Sequence, residues 1–177
     1  MKNVYRAAAL AALVLAGAAS GAESGSLASS ASGSNPIYKF KDMSRTGSHI
    51  ARNVAFSPAP FDKRYGDLSA AQKDVVRGAY DHMAEGDEPP FPAYGLGPIF
   101  RLVARLDPTL VKGGPLKASV MVGADGKPVS VRVLDAPNDF LTDFVGNALM
   151  LQDYKPAVCA GQPCGQEFLL LATLTDE

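Results

Sequence analysis

From Leu116 to Val133 apolar residues fall on every second position on both sides of one tight turn, and this pattern limits the fold more than anything else in the chain. Leu116, Ala118, Val120 and Val122 alternate with Lys117, Ser119 and Met121, then Ala124-Asp125-Gly126-Lys127 reverses the chain. Val129, Val131 and Val133 alternate with Ser130, Arg132 and Leu134. Only a strand sends successive side chains to opposite faces, and Asp-Gly suits a turn that needs positive φ, so the segment is a β-hairpin. Asn138 or Asp139 can then cap a helix whose apolar stripe is Leu141, Phe144, Val145, Ala148 and Leu149, running to about Gln152. Phe168 to Thr173 is a continuous apolar strand. A right-handed crossover through the helix sets this third strand beside the first and antiparallel to it. The expected fold is α+β, a three-stranded antiparallel sheet of order 2-1-3 with the helix on one face.

Upstream elements are expected to decorate that frame. Ser69-Ala70-Ala71-Gln72 fits a capping box, in which the serine hydroxyl accepts from an early backbone N–H and Gln72 reaches back. Val75, Val76, Ala79, Tyr80 and Met83 continue one helical stripe up to a stop at Gly86. Prolines 89, 90 and 92 make a rigid connector, and Pro98 opens a short helix to about Leu106 that ends before Pro108. Residues 36–60 carry Tyr38, Phe40 and Phe56 without sustained periodicity, which reads as an extended arm lying on the surface. Residues 23–35 are Ser, Gly and Ala with almost nothing to bury, a flexible tether.

Lys2 and Arg6 precede an apolar run, Ala7 to Ala16, that ends in the small residues Gly17 to Ala22. That is the layout of a secretory signal, with cleavage expected after Ala22 and export to the periplasm. The run is shorter than the ~20 apolar residues a spanning helix needs, and retention of residues 7–22 as an inner-membrane anchor is the alternative. The organisation expected is thus a signal over 1–22, a tether over 23–35, an arm and capped helix over 36–88, and a folded domain over 89–177. Losing residues 1–22 leaves 15 basic against 18 acidic residues, a net charge of −3. A mildly acidic chain has no electrostatic footprint for nucleic acid.

The run Val120-Met121-Val122-Gly123-Ala124-Asp125-Gly126-Lys127-Pro128-Val129, the helix after it, Tyr154-Lys155-Pro156-Ala157 at the helix exit and Gly161-Gln162-Pro163 before the last strand together resemble the TonB C-terminal domain. Phe91-Pro92 and the helix from Pro98 look like the short helix that opens that domain. The resemblance covers 89–177 and leaves 36–88 outside the family's core. It implies a non-catalytic periplasmic module that binds a protein partner, as TonB transmits inner-membrane energy to outer-membrane transporters. TonB-type transducers carry an N-terminal anchor and a Pro-rich stalk where this chain has a signal and a Ser/Gly tether. Retention of the anchor would make the chain such a transducer.

Cys159 and Cys164, the only cysteines, sit in Cys-Ala-Gly-Gln-Pro-Cys and read as a local disulfide in an oxidising compartment. Two thiolates alone do not complete a tetrahedral metal site, and His49 and His82 are far away in sequence. Asp139 and Asp143 suit the start of a helix. Gly95-Leu96-Gly97 lacks the Lys-Ser/Thr of a phosphate loop. No catalytic residue, metal, cofactor or small-molecule substrate is expected.

The candidate site is the last strand itself, Phe168, Leu169, Leu170, Leu171, Ala172 and Thr173. Order 2-1-3 makes the second and third strands the edges, and the second is defended by Pro128 and Arg132 whereas the third holds neither proline nor charge. A partner strand from a cell-envelope protein, an outer-membrane receptor segment or a second copy of this chain, would pair there. Coverage by the 36–60 arm is the competing reading of that edge. A small periplasmic thiol-redox protein or enzyme on the same frame is the alternative function. Mass spectrometry of the exported protein should give a mass lacking residues 1–22 and two cysteine hydrogens; an intact Met1 in carbonate-resistant membranes would refute export with cleavage.

Overall fold

The computed structural model describes residues 36–42 and 52–175. The leader, the tether and His49 lie outside the described residues. In chain order the elements are β1 (Tyr38–Asp42), β2 (Arg52–Ser57), a 3-10 turn at Tyr65–Asp67, α1 (Ala70–Arg77), β3 (Phe91–Pro92), α2 (Gly97–Ala104), β4 (Gly114–Val122) and β5 (Pro128–Asp135). They continue with α3 (Asp139–Met150), β6 (Tyr154–Lys155), β7 (Ala157–Cys159), β8 (Gln162–Cys164) and β9 (Gln166–Leu174).

The hairpin forms where the alternation requires it. Gly126 takes φ 78° and donates to Gly123 O at 3.0 Å, while Asp125 Oδ1 accepts from Lys127 N at 3.0 Å. β4 pairs antiparallel with β5 on one side and with β9 on the other, so the fold is α+β and these strands lie in the order β5-β4-β9. Asn138 caps α3 by accepting from Leu141 N at 2.8 Å. Ile99, Phe100 and Val103 of α2 and Leu141, Val145 and Leu149 of α3 share one core with Leu116, Ala118, Val120, Phe168 and Leu170. Both helices therefore cover the same sheet face. The opposite face shows Lys117, Met121, Arg132, Leu134 and Leu171 to solvent.

The sheet has five strands rather than the three expected, in the order β1-β2-β9-β4-β5. The two extra strands come from the stretch read as a surface arm. The described part of that stretch contributes to the core: Ala55 is wholly buried, and Tyr38 and Phe40 pack against the buried cluster. Its pattern was hidden because large residues oppose small ones across the pair, Tyr38 opposite Ser57 and Phe40 opposite Ala55. Phe40 then meets the Phe61 and Phe100 rings at 5.4 and 6.1 Å between centroids. Buried residues come from both sides of the 88/89 boundary, Phe61, Tyr65 and Leu68 among them.

α1 is also shorter than its stripe suggests. The capping box forms, with Gln72 N donating to Ser69 Oγ at 3.3 Å and Ser69 N to Gln72 Oε1 at 3.0 Å. The helix stops at Arg77 because Gly78 caps it and the Arg77 guanidinium folds the chain back, donating to Ala84 O at 3.0 Å and to Asp87 O. His82 is exposed beyond the helix rather than within it.

Two contacts fasten the C-terminal half. Tyr154 N donates to Gly126 O at 3.1 Å, and the Tyr154 hydroxyl donates to Leu149 O at 2.9 Å, so one tyrosine ties the hairpin turn to the end of α3. Cys159 and Cys164 are joined, their Cα atoms 5.9 Å apart, across the β7–β8 hairpin. A Cβ on Gly126 would lie 2.4 Å from Tyr154 O and would also occupy the left-handed region. Gly126→Ala should cost at least about 2 kcal/mol, from the left-handed penalty plus the displaced backbone. An unchanged midpoint in urea denaturation would contradict this account of the turn.

Candidate functional site

The direction of β9's backbone groups follows from one hydrogen bond. Thr175 donates its N–H to Val54 O at 3.1 Å, and successive residues of a strand point their polar groups to opposite sides. Thr173, Leu171, Leu169 and Glu167 therefore turn N–H and C=O toward β2, while the even-numbered residues turn theirs toward β4. β2 pairs with β9 only at Ala55 opposite Leu174 and Phe56 opposite Thr173. The register would next bring Pro58 opposite Leu171, and proline has no N–H to donate. From Glu167 to Leu171 no described strand occupies that side of β9.

The last strand is thus not a sheet edge as expected. It lies inside the sheet, paired with β4 along its whole length and with β2 at its end, and keeps an open stretch between. The six residues singled out from sequence divide by face. Phe168, Leu170 and Ala172 are buried toward the helices, Phe168 against Phe91 and Tyr154 at 5.9 and 5.7 Å between ring centroids. Leu169 is half-buried, and Leu171 and Thr173 are exposed, on the other side.

A cover fills the open stretch. Val75 and Val76 of α1, with Ala79, line a crevice with Pro58, Leu169 and Leu171 that leaves only about 30 Å³ between them. The Tyr80 hydroxyl is buried beside the Leu169 backbone, near enough to feel its dipole, yet it makes no hydrogen bond of acceptable geometry. Burial raises the Tyr80 pKa well above the ordinary tyrosine value, with Tyr65 and Glu167 adding to the shift. Burial likewise raises Tyr154.

Beside the cover lies a second feature, on the open sheet face. Ile37, Phe56, Pro58, Pro115 and Leu171 line a hollow of about 470 Å³ with Lys117 among its walls. Lys117 faces Asp135 at 3.6 Å, and Lys39 stands over the Phe56 ring at 5.6 Å.

No family model matches this chain, and no curated protein or solved structure matches it. The described residues contain no group of three or more His, Cys, Asp or Glu side chains able to hold a metal ion, and no helix long and apolar enough to cross a membrane. The disulfide pair is half-buried at the far end of the β7–β8 hairpin. Around it the hairpin is pinned to the connector: Glu88 and Val158 exchange backbone hydrogen bonds at 2.9 Å, and Asp87 Oδ1 accepts from Ala160 N at 2.9 Å.

Sequence reasoning found the strand and the cysteines but missed Pro58, Arg77 and Tyr80. Pro58 carried a signal, since a proline one residue beyond the apolar run Val54-Ala55-Phe56 marks where a ladder must stop. Arg77 and Tyr80 carried none, because their partners are backbone atoms brought near by the fold. The Tyr80 hydroxyl makes no well-formed hydrogen bond, so Tyr80→Phe should change stability by no more than about 1 kcal/mol at neutral pH. A tyrosine whose pKa is raised on folding stabilises fully below the unfolded value near 10, and that contribution is lost as pH rises toward the folded value. Tyr80→Phe should therefore lose stability less steeply than wild type above pH ~10; equal slopes would show that Tyr80 ionises as freely folded as unfolded.

Proposed function

We propose that this chain is an exported, non-catalytic protein-binding module of the cell envelope, and that it takes an extended segment of a partner protein onto β9. What carries the reading is the open stretch from Glu167 to Leu171. Three residues of a strand firmly paired on its other side direct backbone donors and acceptors to where a further strand would run. Backbone pairing would supply affinity there, and the Leu169 and Leu171 side chains would supply selectivity.

The outer edges of the sheet suit a partner less well. β1 is short, carries Lys39 and Lys41, and has a register shift between Phe40 and Lys41. β5 is entered through Pro128 and carries Arg132. Lysine, proline and irregular pairing are the usual guards against strand addition, and the β9 stretch has none of them. On this reading the chain acts as the TonB C-terminal domain does, with a receptor segment or a second copy as the occupant, in connection with TonB-dependent transport. The paired cysteines are in keeping with the oxidising periplasm.

The test is amide hydrogen exchange of the full chain with and without an extended peptide from an outer-membrane receptor of the same envelope. Added protection at Leu169 and Leu171 is expected. Protection gained only elsewhere, for example along β5, would move the binding surface and end this proposal.

A further inference from the structure

We infer that α1 and the residues after it, through Tyr80, form a removable cover over the open stretch of β9, which a partner must displace; the identity of the occupant rests on the strand-addition reading above. The cover is only lightly joined to the core, through the half-buried Val76. None of the eight α1 residues is buried, and a helix of that length has little stability of its own in water. Beyond Val76 and a Lys73 ammonium 5.2 Å from the Tyr65 ring centroid, it is held by polar latches at its two ends. Gln72 Nε2 donates to the Tyr38 hydroxyl at 2.8 Å, and Arg77 donates to the Ala84 and Asp87 carbonyls. Both latches exchange readily for water when the helix lifts.

The layer beneath is better matched to a strand than to a helix. Under the cover the buried Tyr80 hydroxyl sits beside the Leu169 backbone without a well-formed hydrogen bond, and Leu169 and Leu171 line a crevice with Val75, Val76 and Ala79 where a ladder would otherwise continue. Lifting α1 hydrates Tyr80. An incoming strand would then continue the ladder from the point where β2 turns away at Pro58, leaving the β4–β9 pairing untouched. The chemistry of the occupant follows. Its residues facing Leu169 and Leu171 need free N–H groups, which excludes proline there. Its side chain beside Leu171 would enter the open-face hollow of Ile37, Phe56, Pro58 and Pro115, which calls for an apolar residue.

Native-state hydrogen exchange of the full chain tests the cover without any partner. The Lys73 and Gly78 amides, which donate to Ser69 O and Asp74 O, report α1. The Leu169 and Leu171 amides face the cover, and those of Phe168 and Leu170 face β4. Leu169 and Leu171 should exchange through the same local opening as Lys73 and Gly78, while Phe168 and Leu170 exchange only on global unfolding. Arg77→Ala, which removes one latch, should raise the opening equilibrium about tenfold without a matching change at Phe168 and Leu170. Tyr80→Phe should lower it.

If Leu169 and Leu171 exchange together with Phe168 and Leu170, the cover opens only with the whole fold and the inference is overturned. Exchange there much faster than in α1 overturns it equally, since nothing would then be covered. The receptor peptide supplies a second arm: its apparent affinity for Arg77→Ala should improve by the same factor as the opening. Equal affinity for both proteins overturns the cover. A peptide that binds neither protein, alongside coupled exchange, would leave the cover standing and remove the strand-addition reading instead.

Discussion

The ladder between β4 and β9 is the constraint on which the rest of this structure hangs. It runs unbroken from Gly114 opposite Leu174 to Val122 opposite Gln166. Because side chains alternate along both strands, this register alone delivers Leu116, Ala118, Val120 and Val122 to the same face as Phe168, Leu170, Ala172 and Leu174. A slip by one residue would turn that set outward and place Lys117 and Glu167 against the helices. Tyr154 guards against the slip from outside the ladder, since it binds both the hairpin turn at Gly126 and the end of α3 at Leu149.

That ladder was legible in the sequence because its signals are local. Period-2 alternation, Asp125-Gly126 at the turn, and the Asn138 cap each act over a few residues and agree with one another, so β4, β5, α3 and β9 follow from reading the chain in order. What failed to show was pairing between distant segments of mixed composition. β1 and β2 place aromatic rings opposite Ala55 and Ser57, and a small or polar residue at an inward position erases the hydrophobic alternation a single strand would display. α1 misled in the opposite way. Its stripe continues through Ala79, Tyr80 and Met83, but the helix ends at the Gly78 cap and Arg77 donates to the Ala84 and Asp87 carbonyls. The six residues of the candidate site were visible as a strand, whereas their neighbours were not, since being an edge is a property of the whole sheet.

A strand with one flank filled and the other half open is a liability in any sheet, and the chain answers it differently at different places. The outermost strands are defended permanently, by Lys39, Lys41 and a bulge on β1 and by Pro128 and Arg132 on β5. The interior opening is defended by a short amphipathic helix whose apolar residues are only half-buried. Permanent guards and a weakly held one suit different needs. Charges and prolines forbid pairing at all times, while a helix shields Leu169 and Leu171 from unselective contacts without changing their capacity to pair.

The disulfide belongs to the same arrangement. Joining Cys159 to Cys164 removes about 2 kcal/mol of loop entropy from the unfolded chain, a modest gain for so small a loop. Its position gives it a further consequence. The β7–β8 hairpin that it closes holds Glu88 through paired backbone hydrogen bonds and Asp87 through the Ala160 amide. Asp87 and Ala84 are in turn the acceptors that the Arg77 guanidinium uses to hold the end of α1. Lys155 reinforces the connector from the side, 3.0 Å from Glu88 and stacked 4.9 Å from the Tyr65 ring. A latch is only as firm as the piece it closes upon, and here that piece, residues 84–88, is exposed or half-buried, while Pro89 to Pro92 beyond it are buried with Phe91 in the core. The cross-linked hairpin adds a fixed post at Asp87 and Glu88 to the buried anchor at Phe91, so that when the cover moves, α1 swings against a stationary anchor rather than carrying residues 84–88 away with it.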